Sequence, residues 1–362
     1  MGGIRGFGRL DDGRAVNAHA IGDPAQLSAE ILDLGGILAR LRVRGADGPV
    51  DVVLGLGDAR AYGGDPAFLG QLIGRYGNRI AGATFELAGR RHALDANEGR
   101  NHLHGGAHGF GHRPWRVEAH SGEALVLSLR SPAGEGGYPG ALDVRATYRV
   151  EGDVLSLVFA ARCDAATPFN PTHHPYFNLA GDRTVPAAAQ WLQVPASHYL
   201  PVDGELIPFG EVAPVAGTPF DFRIARGLAI AAPHPQLEAG GGLDHCLVLD
   251  PGRGFTAALY SPHSGLAMRI DSDAPGLQLY GGQGLARQHP GLGDGICLEP
   301  QDYPDAPNRP AFPPAILAPG RDYRRSIRYR FARPGRDRGW GEVAHALRLD
   351  RPGLGSPSGV PA

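Results

Sequence analysis

Ala141-Leu-Asp-Val-Arg-Ala-Thr-Tyr-Arg-Val150, Glu151-Gly-Asp153, Val154-Leu-Ser-Leu-Val-Phe-Ala-Ala-Arg162 is the stretch that decides the fold. Apolar residues recur at every second position on both sides of a three-residue turn signal, the period of half-buried strands rather than of a helix. Ala124-Leu-Val-Leu-Ser-Leu-Arg130, just upstream, repeats the pattern. Outward from this hairpin, the same reading predicts strands at Asp51–Leu56, Thr84–Leu87, Cys246–Leu249, Phe255–Tyr260, Leu266–Ile270, Leu277–Tyr280 and Arg325–Phe331. Amphipathic helices are few, with one short helical turn predicted over Pro66–Ile73. Many short strands separated by turns predict an all-β, antiparallel sandwich. From Arg333 the chain turns to Arg, Gly and Pro, so 333–362 reads as a disordered tail with at most a short helix around Trp340–Leu347.

Composition agrees with this and bounds the function. The 362 residues are 42% apolar and include 55 glycines and 32 prolines, enough for a large core joined by many turns. Thirty-five basic residues stand against 37 acidic ones, so there is no electrostatic footprint for nucleic acid or an anionic membrane. The first residues lack an apolar stretch of the kind a secretory signal needs, and no run of 18 apolar residues occurs. Cys163, Cys246 and Cys297 are odd in number and widely spaced, which suits free thiols in a reducing cytoplasm.

Polar residues cluster in four short places: Asn101-His-Leu-His-Gly-Gly106, Thr172-His-His-Pro-Tyr-Phe-Asn-Leu179, Leu243-Asp-His245 and Cys297-Leu-Glu-Pro-Gln-Asp302. A fold that gathers them would combine histidines with carboxylates, a set suited to proton transfer. The histidines also invite a metal reading, but the spacings of zinc sites are absent. His108 and His112 read as part of a solvated Gly-rich loop. Adjacent strand residues point to opposite faces, so only one of His173 and His174 should enter a site. Glu299 lies at a strand end before a proline. It reads either as a surface carboxylate or as a buried base whose proton affinity is raised by desolvation. Gly74-Arg-Tyr-Gly-Asn-Arg-Ile80 reads as a polar strand edge or as a set of donors for sugar hydroxyls. No phosphate loop or dinucleotide fingerprint is present.

Taken in order, these pieces resemble the aldose 1-epimerase, or galactose mutarotase, family to about Ala332. Val52-Val-Leu-Gly55, Gly74–Ile80, Asn97-Glu-Gly-Arg-Asn-His-Leu-His-Gly-Gly106 and Glu135-Gly-Gly-Tyr-Pro-Gly140 come first. His174-Pro-Tyr-Phe-Asn-Leu-Ala-Gly181, Gly217-Thr-Pro-Phe-Asp-Phe-Arg223, Leu243-Asp-His245 and Cys297-Leu-Glu-Pro-Gln-Asp-Tyr-Pro-Asp-Ala-Pro-Asn308 complete the series. The resemblance implies one large sandwich domain over 1–332, of the galactose mutarotase-like supersandwich type, with an open cleft for a free hexose. It implies Glu299 as general base and His174 as general acid, with Asn78, Arg79, His104, Asp244 and Gln278 holding sugar hydroxyls. Three departures stand out: Gly77 for the usual alanine, the second histidine His173, and Tyr280-Gly-Gly-Gln-Gly-Leu285 at the cleft.

The implied chemistry is anomer interconversion. The C1 hydroxyl loses a proton, the ring oxygen gains one, C1–C2 rotates in the open aldehyde, and the ring recloses. For this Glu299 should be ionised and His174 protonated near neutral pH. The expected partner is a small sugar, with no cofactor, metal, nucleic acid or membrane, and the protein as monomer or homodimer. The alternatives are a hexose 6-phosphate epimerase of the same fold, which would need a basic cluster, and a sugar sensor without catalysis.

Overall fold

The hairpin read over 141–162 forms two ten-residue strands, Leu142–Glu151 and Val154–Cys163, paired antiparallel from Leu142 opposite Cys163 to Glu151 opposite Val154. They lie inside a nine-stranded sheet in a computed structural model that describes residues 3–230 and 233–351. Val154–Cys163 pairs on its far side with Tyr323–Ala332, which in turn pairs with Ala267–Ser272. The middle and the end of the chain are therefore neighbours in one sheet.

A second sheet of six strands carries Tyr176–Phe177, Ile296–Gln301, Gly276–Tyr280, Asp244–Val248, His198–Tyr199 and Ala213–Pro214 in that order. A third, a five-stranded meander, runs from Ile4–Arg9 to Pro49–Asp51. The alternation gives each sheet an apolar inner face. Leu155, Leu157 and Phe159 meet Leu247, Leu277 and Leu298 in a core that also takes in Ile21 and Leu41 of the meander. Burying each such side chain contributes roughly 1.5–3 kcal/mol.

Several expectations need correction. No helix forms over Pro66–Ile73: the short helix is Ala59–Gly63, capped by Asp58, and Asp65 folds the next residues into a turn. Of Asp51–Leu56, only Asp51 lies in a strand, with Val53 in an isolated bridge to Phe177. The tail read as disordered from 333 is built at least to Arg351. Its helix, Trp340–Leu347, buries Val343 and Leu347 against Ala258, Tyr260 and Ala267, and the Trp340 indole donates to Gln193 at 2.9 Å. Residues 352–362 lie outside the described residues.

The six-stranded sheet positions the site. Gln278 is directly opposite Glu299, and Cys246, two residues beyond Asp244, is opposite Gln278. The pleat therefore sends Leu298, Leu277 and Leu247 to the core, while Glu299, Gln278 and Asp244 share the other face. Ile296–Gln301 is buried throughout.

Candidate active site

Glu299 is 2% exposed, so of its two readings the structure selects the buried one. Its Oε1 stands 3.7 Å from His174 Nε2, beyond a hydrogen bond but close enough for one oxygen to bridge the two. His174 follows the two-residue strand Thr172–His173, and its backbone is bonded on both sides by the turn opposite: Gly70 N–H donates to its carbonyl and its own N–H donates to Gln71. His173 points away, between the hydroxyls of Tyr148 at 3.3 Å and Tyr329 at 3.0 Å. One histidine of the pair faces the site and the other belongs to the core, as strand geometry requires.

From Glu299 the contacts continue along the sheet. Gln278 Nε2 donates to Asp244 Oδ1 at 2.6 Å, and Asp244 Oδ2 lies 3.8 Å from Arg79 Nη1. Arg79 is aimed by two 2.6 Å bonds to Glu98. Its short strand pairs with His102–Leu103, which brings Asn78 to His104. Asn78 N–H donates to His104 Nδ1 at 3.2 Å, and His104 N–H donates to the Asn78 carbonyl at 3.1 Å. The first bond leaves the ring proton of neutral His104 on Nε2. His104 then meets His174 edge-on, with ring centres 5.3 Å apart. The seven residues that the family resemblance singles out thus lie together in one circuit, with Glu299 and Gln278 adjoining by strand register and the rest linked by the contacts above.

The turn after His104 depends on Gly105. Its φ is +88°, and a Cβ there would fall 1.8 Å from the Gly74 carbonyl oxygen, so only glycine lets the two segments meet. The departures also have local reasons. An alanine methyl at Gly77 would come within 3.0 Å of both the Asn170 carbonyl and the Thr172 methyl. Gly281 donates to the Leu243 carbonyl, and Gln283 bonds the carbonyls of Gly240 and Leu243, folding the loop back toward Asp244.

Burial sets the electrostatics. It pushes the Glu299 carboxyl well above the usual range, reinforced by Asp244 and opposed by Arg79. It drives His174 down to about 4, against its own backbone and Asp65. Both directions oppose the expectation of an ionised Glu299 beside a protonated His174. The physical reason is that each partner is dry enough to prefer neutrality, so neither offers the other a full charge. His104 is held well below its ordinary value by burial and then by His174. Arg79 stays charged, because Glu98 and Asp244 outweigh the burial that opposes it. Glu299 Oε2 and Gln278 Oε1 are buried without a hydrogen-bond partner among the described residues, the acceptor capacity a polyhydroxylated ligand would use.

Sequence reasoning missed three neighbours. Glu98 lies inside Asn97–Gly106, but its pairing with Arg79, 19 residues earlier, has no local signature in the sequence. Phe68 packs its ring 4.7 Å from His104 and 6.0 Å from His174, and Cys297 Sγ sits 3.5 Å from His174 Nδ1. An isolated phenylalanine gives no sequence signal, and Cys297, although it opens the motif that holds Glu299, reads in the sequence only as a free thiol. His112 is not in a solvated loop: it is partly buried, 5.8 Å from the Phe68 ring, whereas His108 is exposed. Arg75, from the same segment as Arg79, is structural, with its guanidinium bonded to carbonyls of Ser131, Pro132, Pro139 and Gly140.

The profile of a family described as aldose 1-epimerase matches residues 18–330. Galactose mutarotase of Homo sapiens is 38% identical over 336 residues, covering 90% of this chain and 97% of that protein. Aldose 1-epimerase of Escherichia coli (strain K12) is 34% identical, covering 88% and 96%. Among solved structures, an aldose epimerase homologue from C. elegans superposes with a TM-score of 0.79 at 29% identity over 92% of this chain and 99% of that one. Galactose 1-epimerase from Lactobacillus acidophilus gives 0.79 and 29% over 91% and 98%.

Proposed function

The chain belongs to the aldose 1-epimerase family, and from that premise we propose that Glu299 and His174 exchange the two protons by which this isomerase interconverts the α and β anomers of an aldose. The supporting observation is the 3.7 Å gap between Glu299 Oε1 and His174 Nε2, both buried, within the circuit of polar residues. A sugar seated there presents C1–OH and ring oxygen to opposite members of the pair.

The neutral pair set by burial and the catalytic pair differ by one proton moved from Glu299 to His174. Sugar hydroxyls, donating to the carboxylate and accepting from the imidazole, offset the cost of that separation. Glu299 then takes the C1 hydroxyl proton, His174 gives its proton to the ring oxygen, and the ring opens. Rotation about C1–C2 and reversed transfers complete the turnover. Each member contributes about 10²–10⁴-fold. His104 donates through Nε2–H, Arg79 donates from its clamp on Glu98, and Asp244, Gln278 and Asn78 fix the remaining hydroxyls so that only the C1 end swings.

A free hexose such as galactose or glucose suits this site better than a hexose phosphate. Arg75 is spent on carbonyls, Arg79 on Glu98, Arg223 on Asp221, and Arg226 on backbone carbonyls and the Phe222 ring, so these four do not gather for an anion. We place the protein in the cytoplasm, with its three cysteines free, acting on sugar alone as a monomer or homodimer. No helix among the described residues is long and apolar enough to cross a membrane.

Polarimetry on freshly dissolved α-D-galactose and α-D-glucose tests the assignment. Wild-type protein is expected to speed equilibration, and Glu299→Gln to lower kcat about 10²–10⁴-fold. Wild-type turnover in the glutamine variant would remove Glu299 from the base role.

A further inference from the structure

The circuit of seven side chains is polar all round, yet a pyranose has an apolar C–H face as well as hydroxyls. Sugar-sized pockets combine a few placed polar groups with apolar or aromatic walls. Phe68 is the half-buried aromatic that stands against both histidines, at 4.7 Å from His104 and 6.0 Å from His174. It adopts a left-handed backbone, φ +55°, which a bulky residue holds only when its surroundings impose it.

The imposing groups are identifiable. Asp65, 1% exposed, accepts from the N–H groups of Ala67 at 2.9 Å and Leu69 at 2.6 Å, bracketing Phe68 on both sides. The Tyr176 hydroxyl donates to the Ala67 carbonyl at 2.9 Å. From across the chain, His289 Nε2 reaches Asp65 Oδ1 at 2.8 Å. His289 closes the short helix Leu285–Gln288, in the loop that follows Tyr280 and its glycines. Two rims far apart in sequence, 65–71 and 281–295, are therefore joined at a single buried carboxylate.

We propose that Phe68 is the apolar wall against which the sugar ring packs, and that the Asp65–His289 contact is the clasp that holds this wall in place. The inference rests on the cleft being the sugar site. Phe68 touches substrate, whereas Asp65 and His289 are positioning residues acting through it. The sequence departure after Tyr280 thereby acquires a role, since its loop carries the outer half of the clasp.

The test is the galactose dependence of mutarotation for wild type, Phe68→Leu, His289→Ala and His289→Gln, with melting temperatures alongside. Leucine keeps apolar bulk and loses the flat ring, so Phe68→Leu should raise KM about tenfold with a smaller change in kcat. His289→Ala should raise KM in the same direction by about threefold, and His289→Gln, whose amide can still donate to Asp65, should restore much of it. An active wild type whose KM is unmoved by Phe68→Leu overturns the wall. Equal KM in wild type and His289→Ala, with only the melting temperature lowered, overturns the clasp. A wild type that accelerates neither galactose nor glucose overturns the sugar-site reading and this inference together.

Discussion

At the scale of single residues, the protein keeps several histidines uncharged by burying them. Burial brings His173 down to about 3, and it lowers His174 and His245 to about 4. An unfolded histidine takes a proton below about 6.5, and these do not until far lower. Their contribution to stability is therefore complete above pH 6.5 and is lost as pH falls through the folded values. His245, its ring centre 4.3 Å from that of Phe220 at a 44° tilt and its Nε2 without a hydrogen-bond partner among the described residues, lies outside the circuit of seven and is the cleanest probe. We expect urea unfolding of His245→Phe to show a shallower loss of stability between pH 6.5 and 4, by roughly 3 kcal/mol at most. An unchanged pH slope would mean that His245 already titrates normally. Six of the circuit residues stand out in the sequence because each lies in a short polar motif set into apolar or turn-forming surroundings, whereas Gln278, inside an apolar strand, is picked out by the family resemblance alone, which also supplies the role expected of each. Phe68, Asp65 and His289 do not stand out, because their meaning lies in a turn and a long-range contact that no local pattern encodes.

Individual elements show the same division. Strands over 124–163 were readable because one face is buried and the other solvated, which imposes strict alternation. The meander opening at Ile4–Arg9 was not, since its Gly-rich first strand is largely exposed and shows no apolar face. The apolar run at Pro66–Ile73 suggested a helical turn, but Asp65 binds the next backbone N–H groups in a competing local geometry. Turn chemistry also carries function. Gly105→Ala would place a methyl in the Gly74 carbonyl and a side chain at φ +88°, shifting His104 and its bond from Asn78. We expect kcat to fall at least about tenfold and stability to drop by about 1–3 kcal/mol, read by polarimetry and thermal melting. Full activity in this variant would show that the turn can relax without moving His104.

For the whole molecule, residues 333–351 are part of the packed structure. Its helix covers Ala258, Tyr260 and Ala267, and the buried Arg269 guanidinium donates to the carbonyls of Arg348 and Arg351. The contacts of this helix are remote from the circuit at Glu299. Truncation after Ala332 is therefore expected to lower the melting temperature by several degrees while leaving kcat and KM for galactose near wild type. A loss of turnover at temperatures where the truncated protein is still folded would tie the helix to the site. Arg, Gly and Pro richness hid this packing, because only three or four apolar side chains in the segment do the covering.

The pairing of Val154–Cys163 with Tyr323–Ala332 has a consequence for how the chain is made. During synthesis the edge of Val154–Cys163 emerges from the ribosome roughly half a chain before the strand that covers it. Until then the growing polypeptide carries an unpaired, half-apolar edge, the kind of surface that invites wrong partners. Glu299, too, arrives late, long after His104 and His174. The nascent sheet therefore stays open, and the site incomplete, until Tyr323–Ala332 has left the tunnel.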